Sequence, residues 1–239
     1  LASDLRIAVA QARLGCDHVA GAPLVTRLWA LDYLVLFGAV LPFLARLGLP
    51  FLLGGTSNYF RTTALRAAGG WDAHNVTEDA DLGVRLARLG HRSAVVDSTT
   101  WEEAPLTLAA WTRQRSRWLK GFAVTTLVHA RDPLRTAREL GPLGTVAVLA
   151  QLPFALLAIA AHPVCLAMLA WGAATGTLWA PTGSAAGDAA LALQVATLAV
   201  GYGATLALSL TVLWRRPLGL SRALALALPL YWLALAGAL

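Results

Sequence analysis

Apolar and polar positions alternate on two different scales along this chain of 239 residues. Within its first part the pattern changes every few residues, while the last part runs apolar for long stretches. "LRIAVAQARL" (5–14) reads as a helix or as a helix end running into a strand. Residues 23–47 are apolar but carry Arg27, Asp32 and Arg46, with Pro42 inside; this pattern predicts amphipathic helices lying on the protein or on a membrane surface. "FLLGGTSNYFRTTAL" (51–65) reads as strand, turn, strand, and "AAGGWD" (67–72) as a helix stop followed by a turn. Residues 79–89 predict a helix, because Leu82, Leu86 and Leu89 share one face, and Gly90 closes it. "RSAVVD" (92–97) predicts a short strand, and the succession of strand, helix and strand predicts an α/β domain.

A longer helix is predicted over 106–129. Leu108, Trp111, Trp118 and Phe122 fall on one side, and Arg113, Arg115, Arg117 and Lys120 form a dense basic group. Such a helix suits a membrane interface, with indoles at headgroup depth. Four apolar runs follow: 144–161 and 163–178, joined at "AHP", then 189–213 and 220–239, split by "RRP". Each approaches the roughly 20 residues that a bilayer core requires, so four membrane spans are expected. The expected organisation is residues 1–105 as part of an α/β domain, 106–140 as an interfacial helix region and 141–239 as a transmembrane bundle.

Composition sharpens this division. Hydrophobic residues make up 57% of the chain and charged residues 13%, too apolar for an ordinary soluble domain. Residues 1–139 carry 16 basic and 12 acidic side chains, whereas Asp188 is the sole charge from 140 to 214. The net charge of +6 sits beside apolar helices, which favours membrane lipids or a phosphorylated substrate as partner. No nucleic-acid-binding signature is present, so nucleic acid is not an expected partner. Arg131, Arg135 and Arg138 place the entry to the first span in the cytoplasm by the positive-inside rule, although strict alternation would then put Arg215 and Arg216 outside. Cys16 and Cys165 stand in unlike settings and predict no disulfide, and the five histidines show no metal-ligand spacing. No phosphate-binding glycine loop, Ser/His/Asp set or cysteine nucleophile stands out.

Two clusters carry candidate chemistry. "TEDAD" (77–81) packs three carboxylates at a helix start. Acids there complement the helix dipole at about 0.3–1 kcal/mol each, and one of them is also a candidate general base. "QRSRW" (114–118) places Gln114, Arg117 and Trp118 on one helix face. A guanidinium grips phosphate oxygens and an indole offers a flat face for a sugar ring, but a solvated basic face of an interfacial helix also explains the pattern.

Thr77-Glu78-Asp79 followed about 35 residues later by Gln114-x-x-Arg117-Trp118 resembles the processive branch of glycosyltransferase family 2, the cellulose-synthase-like membrane enzymes. "GGTSNYFR", "LGVRLARLGHRSAVVD", "WLKGF" and the apolar helices that follow share the resemblance, which is sharpest from Phe51 to Phe122. It implies a partial GT-A-like fold and an inverting transfer from a nucleotide-sugar donor to a growing polysaccharide or a lipid-linked acceptor. Asp79 would be the base, Thr77 and Glu78 would shape the acceptor site, and Gln114, Arg117 and Trp118 would hold the nucleotide diphosphate and the acceptor end. Gly55 and Asn58, within 54–58, would line the acceptor cleft. A multi-pass cell (inner) membrane protein with a cytoplasmic catalytic part is implied. So is a divalent cation, Mg or Mn, but the family's nucleotide- and metal-binding half has no counterpart here: Asp4, Asp17 and Asp32 stand alone. The chain is therefore expected to be the C-terminal part of a longer enzyme. Two other readings remain: a non-processive transferase acting on a polyprenyl phosphate, and a catalytically inactive membrane anchor. A transporter would need polar groups inside its spans, and these have almost none.

Overall fold

A computed structural model describes residues 4–17, 21–178, 180, 182–215 and 219–239. His18 and Arg216, used in the sequence argument, lie outside the described residues.

A three-stranded sheet forms the first layer. β1 (Ile7–Cys16) is central, antiparallel to β2 (Asn58–Phe60) and parallel to β3 (Arg92–Glu102). The ambiguous segment 5–14 is thus a strand. Its residues Ala8 to Ala12 are all buried, as in a strand covered on both faces, where simple alternation disappears. The 51–65 segment departs from its predicted strand–turn–strand. Phe51 and Leu53 are buried in irregular chain, because the backbone of Phe51 fits against Gly83 of the following helix. β2 is only three residues long, and α3 (Thr62–Ala67) begins almost at once.

α1 (Leu24–Val35) and α2 (Leu41–Leu47), joined by a π-helical turn, cover the sheet. Trp29, Leu31, Tyr33 and Phe37 pack with β1 residues Val9 and Leu14. This agrees with helices that lie on the protein. α4 (Glu78–Arg88) follows the predicted leucine stripe: Leu82 and Leu86 are buried, while Leu89 just beyond it is exposed.

α5 (Leu108–His129) matches the predicted long helix, but its indoles do not sit at a membrane surface. Trp111 is fully buried and Trp118 packs against the core. The protein interior, reached through α1, competes successfully for these rings.

α6 (Pro133–Gln151), α7 (Pro153–Ala174) and α8 (Ala185–Arg215) replace the first three expected runs. "AHP" does not end a helix: Pro163 lies inside α7, and the breaks fall at Gly141 and Leu152. Residues 220–239 form a short 3₁₀ turn and α9 (Leu228–Ala236), too short to span as a helix. Among the described residues, three helical stretches are long and apolar enough to cross a membrane: Leu24–Leu47, Pro133–Ala174 and Ala185–Arg215. A small cluster of Val84, Val148 and Leu152, backed by Phe122, fastens α4 to the α6–α7 bend.

Candidate active site

The start of α4 is held by its neighbours rather than by its own cap. Thr77 occupies the N-cap position, yet its hydroxyl caps nothing. Its backbone N–H instead donates to Asn75 Oδ1 at 3.1 Å, and Asn75 Nδ2 donates to Thr125 Oγ1 of α5 at 2.8 Å. Asn75, Thr77 and Thr125 are all buried. Opposite Thr77 stands Gly121, where an added Cβ would come within 2.8 Å of the Thr77 Cβ. Only a glycine lets α5 approach this closely. Trp118, Gly121 and Thr125 follow one another at i, i+3 and i+7, so one face of α5 carries both the indole and the contact with the Thr-Glu-Asp turn.

Asp79 is half-buried at this turn. Its Oδ1 accepts the Ala80 N–H at 2.8 Å. Its Oδ2 lies 3.4 Å from where a Cβ on Gly55 would stand, so Gly55 is the part of the facing loop nearest that oxygen. Burial raises its pKa to about 6; the Ala80 N–H pulls the other way, and the nearby Glu78 carboxylate adds to the rise. A carboxylate tuned close to neutrality is suited to taking a proton.

The facing loop is held by Gln11, a fully buried side chain of β1. Its Oε1 accepts the Gly54 N–H at 2.8 Å, and its Nε2 donates to the carbonyls of Ala12 and Thr56. Asn58 Nδ2 closes the same loop onto the Gly54 carbonyl. Ser57 takes a left-handed conformation, φ 56°, and its hydroxyl meets that of Thr100. Thr56 donates to Glu102, which therefore borders this loop. Gln11 and Glu102 were not among the predicted site residues. A lone amide inside an apolar strand was the available signal for Gln11.

The Gln-x-x-Arg-Trp residues divide. Gln114 Oε1 accepts the Trp29 indole N–H at 3.1 Å, and Trp118 stacks on Tyr33 with centroids 6.1 Å apart. Arg117 is exposed. Arg115, predicted as part of the basic face, is instead buried. It donates from Nη2 to Asp32 Oδ2 at 2.7 Å and to the Tyr231 hydroxyl at 2.6 Å, and its guanidinium lies 4.7 Å from the Trp118 ring centroid. Trp111 Nε1 also donates to Tyr231. The middle of α5 is thereby tied to α1 and α9.

Asp81 is more than helix-start charge. It is buried, accepting from Arg85 Nε at 2.6 Å and pairing with His129 Nε2 at 3.0 Å. Burial works to raise its pKa, but the His129 and Arg85 contacts outweigh this and lower it. Arg88 extends the chain of contacts to Glu139 of α6 at 2.6 Å. This network fixes the orientation of α4, and with it Asp79.

The donor set present does not fit a divalent cation. No group of three or more His, Cys, Asp or Glu residues that could hold a metal occurs among the described residues. Cys16 and Cys165 are free, and burial pushes the Cys16 thiol up to about 12. His162 of α7 sits in an aromatic group with Tyr202 and Trp232.

Comparison with known proteins supplies independent information. The family model "Glycosyl transferase family group 2" matches residues 1–239. Over 68 residues the chain is 37% identical to the "Probable glycosyltransferase YdaM" of Bacillus subtilis (strain 168), covering 28% of this chain and 16% of that protein. Over 74 residues it is 40% identical to the "Probable glucomannan 4-beta-mannosyltransferase 7" of Oryza sativa subsp. japonica, covering 30% of this chain and 13% of that one. "Glucomannan 4-beta-mannosyltransferase 9" of Arabidopsis thaliana is 36% identical over 74 residues. The matched stretches thus span about a seventh of each of the first two relatives' length.

Proposed function

The chain belongs to the glycosyl transferase family group 2 and is a transferase, and on that basis we propose that it forms the acceptor-side part of an inverting membrane glycosyltransferase, with Asp79 as its base. The observation that carries the proposal is the placement of Asp79. Its carboxylate, raised to about 6, lies against Gly55 of the facing loop and is joined through Thr77 and Gly121 to the helix bearing Arg117 and Trp118.

Asp79 would accept the proton of an acceptor hydroxyl as that oxygen attacks the anomeric carbon. The bond from that carbon to the nucleoside diphosphate breaks on the opposite face, which inverts the centre. Arg117, exposed and charged, would balance the departing diphosphate. Trp118, steadied by Tyr33 and Arg115, would stack on the acceptor sugar. Gln114 is engaged by Trp29 and would position Trp118's helix. Thr77 and Glu78 would shape the acceptor side, and Gly55 and Asn58 would line it. The outer edge of β2 has no strand partner among the described residues, and it offers the place where donor-binding strands would continue the sheet. The apolar helices would lie in the cell (inner) membrane, with the catalytic part on its cytoplasmic side.

Membranes containing the natural full-length protein, supplied with radiolabelled nucleotide sugars, test this reading. Mannosyl donors come first, given the relatives' names. Label should enter a polymeric or lipid-extractable product with one nucleoside diphosphate released per sugar, and Asp79→Asn should cut the rate by about 10²–10⁴-fold. Near wild-type transfer by Asp79→Asn would refute the assignment of the base.

A further inference from the structure

A cleft of about 350 Å³ opens on the far side of the sheet from β2, between α2 and β3. Three arginines line it, Arg13, Arg46 and Arg92, together with Asp4, Asp97 and Pro42. Two of the five charges neutralise each other, since Arg13 pairs with Asp97. Asp4 is engaged by Arg6, which lies outside the cleft, at 3.2 Å. Arg46 and Arg92 make no side-chain hydrogen bond or ion pair among the described residues. Arg92 also acts on Asp4, helping to hold that carboxyl below its ordinary range, while Asp4 spends its hydrogen bonds on Arg6; the Arg46 guanidinium is exposed.

The construction of the cleft favours the presence of Arg46 and Arg92 there. Gly48 ends α2 in a left-handed conformation, φ 66°. An added Cβ at Gly48 would run into the Arg92 guanidinium, so this glycine makes room for the cation as well as ending the helix. Arg46 stands two residues earlier and is exposed. On the same short helix Phe43 and Leu47 are 60% and 56% exposed, an unusual display of apolar surface beside charge.

The chain just after α2 also contacts the second half of α6. Gln151 of α6 donates to the Pro50 carbonyl at 3.0 Å and accepts the Leu52 N–H at 3.2 Å. A Cβ on Gly144 would stand 3.6 Å from Pro50. The chain that follows α2 is thus fastened to the apolar half of α6.

We propose that this cleft binds the phosphate of an anionic phospholipid headgroup, with Arg46 and Arg92 as its ligands and with Phe43 and Leu47 against the acyl region. Guanidiniums match phosphate oxygens in pairs, and anionic leaflets attract basic groups at such a depth. The proposal rests on the reading that the apolar helices lie in a bilayer. It is separate from the transfer chemistry, because the cleft and the Asp79 turn share no residue.

The test uses the purified full-length protein in two arms. In the first, flotation with phosphatidylcholine vesicles reports membrane insertion alone. In the second, native mass spectrometry counts phosphatidylglycerol retained from mixed phosphatidylglycerol and phosphatidylcholine micelles. Wild type should float with phosphatidylcholine vesicles and retain at least one phosphatidylglycerol about tenfold more tightly than phosphatidylcholine. Arg46→Gln, an exposed change that leaves the fold intact, should weaken that retention several-fold, and Arg46→Gln with Arg92→Gln should remove one lipid per chain. Arg66→Gln, on exposed α3, should leave the count unchanged. Failure to float would remove the bilayer premise and with it the proposal. Flotation with lipid counts unchanged by Arg46→Gln would overturn the site itself. Equal competition by soluble glycerol phosphate and phosphatidylglycerol would reassign the cleft to a free phosphate compound.

Discussion

The turn at Asp79 and the helices α7 and α8 satisfy their side chains in opposite ways. Around α4, polar groups are buried and paired one by one: Asn75 with Thr125, Asp81 with Arg85 and His129, Arg88 with Glu139. Along α7 and α8 the outward positions are Trp171, Leu193 and Val200, each more than two-thirds exposed. In the most apolar window of Leu24–Leu47, 44% is buried inside the protein, against 11% for Ala185–Arg215. The first region makes its own environment and specifies positions within it. The second leaves its apolar surface uncovered by the protein and specifies little beyond length. A reactive carboxylate belongs in the first kind of region, because its pKa and aim both depend on fixed neighbours. Yet the two are joined: Val84 on Val148 and Leu152, and Arg88 on Glu139, make the apolar helices the base on which α4 stands.

Substitutions can break this contrast, the strongest first. Asp81→Ala should destabilise the protein by about 3–5 kcal/mol, since it strands His129 and Arg85 without their buried partner; thermal unfolding in detergent measures it. Gly121→Val should cost about 1–3 kcal/mol, because α5 must withdraw from Thr77, and transfer should fall further than stability alone explains.

Asp79→Asn should act in the opposite direction on stability. The folded protein holds this carboxyl's pKa at about 6, above the ordinary 3.8. The group favours the fold most below the unfolded value, and that advantage is lost as pH rises through the folded one. At pH 7.5 the ionised carboxylate is therefore a burden, and Asp79→Asn should raise stability by on the order of 1–2 kcal/mol after solvent screening. The gain should vanish by about pH 4, as unfolding curves at both pH values would reveal. Val200→Thr, on the exposed side of α8, should change stability by about 0.5 kcal/mol or less. A cost comparable to Asp81→Ala would mean that α8 is packed against protein after all.

Local patterns were legible where the physics is local. The leucine stripe and Gly90 gave α4 its extent, and the length of the apolar pattern gave α5. The Thr-Glu-Asp and Gln-x-x-Arg-Trp residues were legible as motifs, and the fold connects them through Gly121 and Thr77, a close approach no spacing encodes. What escaped depended on distant partners. Arg115 looked like one of four surface cations because Asp32 lies 83 residues away and Tyr231 lies 116 residues away. Asp81 looked like helix-start charge because His129 is 48 residues on. β1 looked partly helical because a strand buried on both faces loses the alternation that marks strands. Pro163 looked like a helix end, yet α7 continues through it, and the break falls instead where Leu152 is buried against Val84 and Val148.

The initial rate of sugar transfer by the full-length protein, followed from pH 4.5 to 8, tests the central claim most directly. With Asp79 as a base whose pKa is about 6, the rate should rise tenfold per pH unit at low pH, bend near 6 and then level off. The residual activity of Asp79→Asn should show no such bend. A wild-type rate flat across this range, or the same bend persisting in Asp79→Asn, would contradict the account.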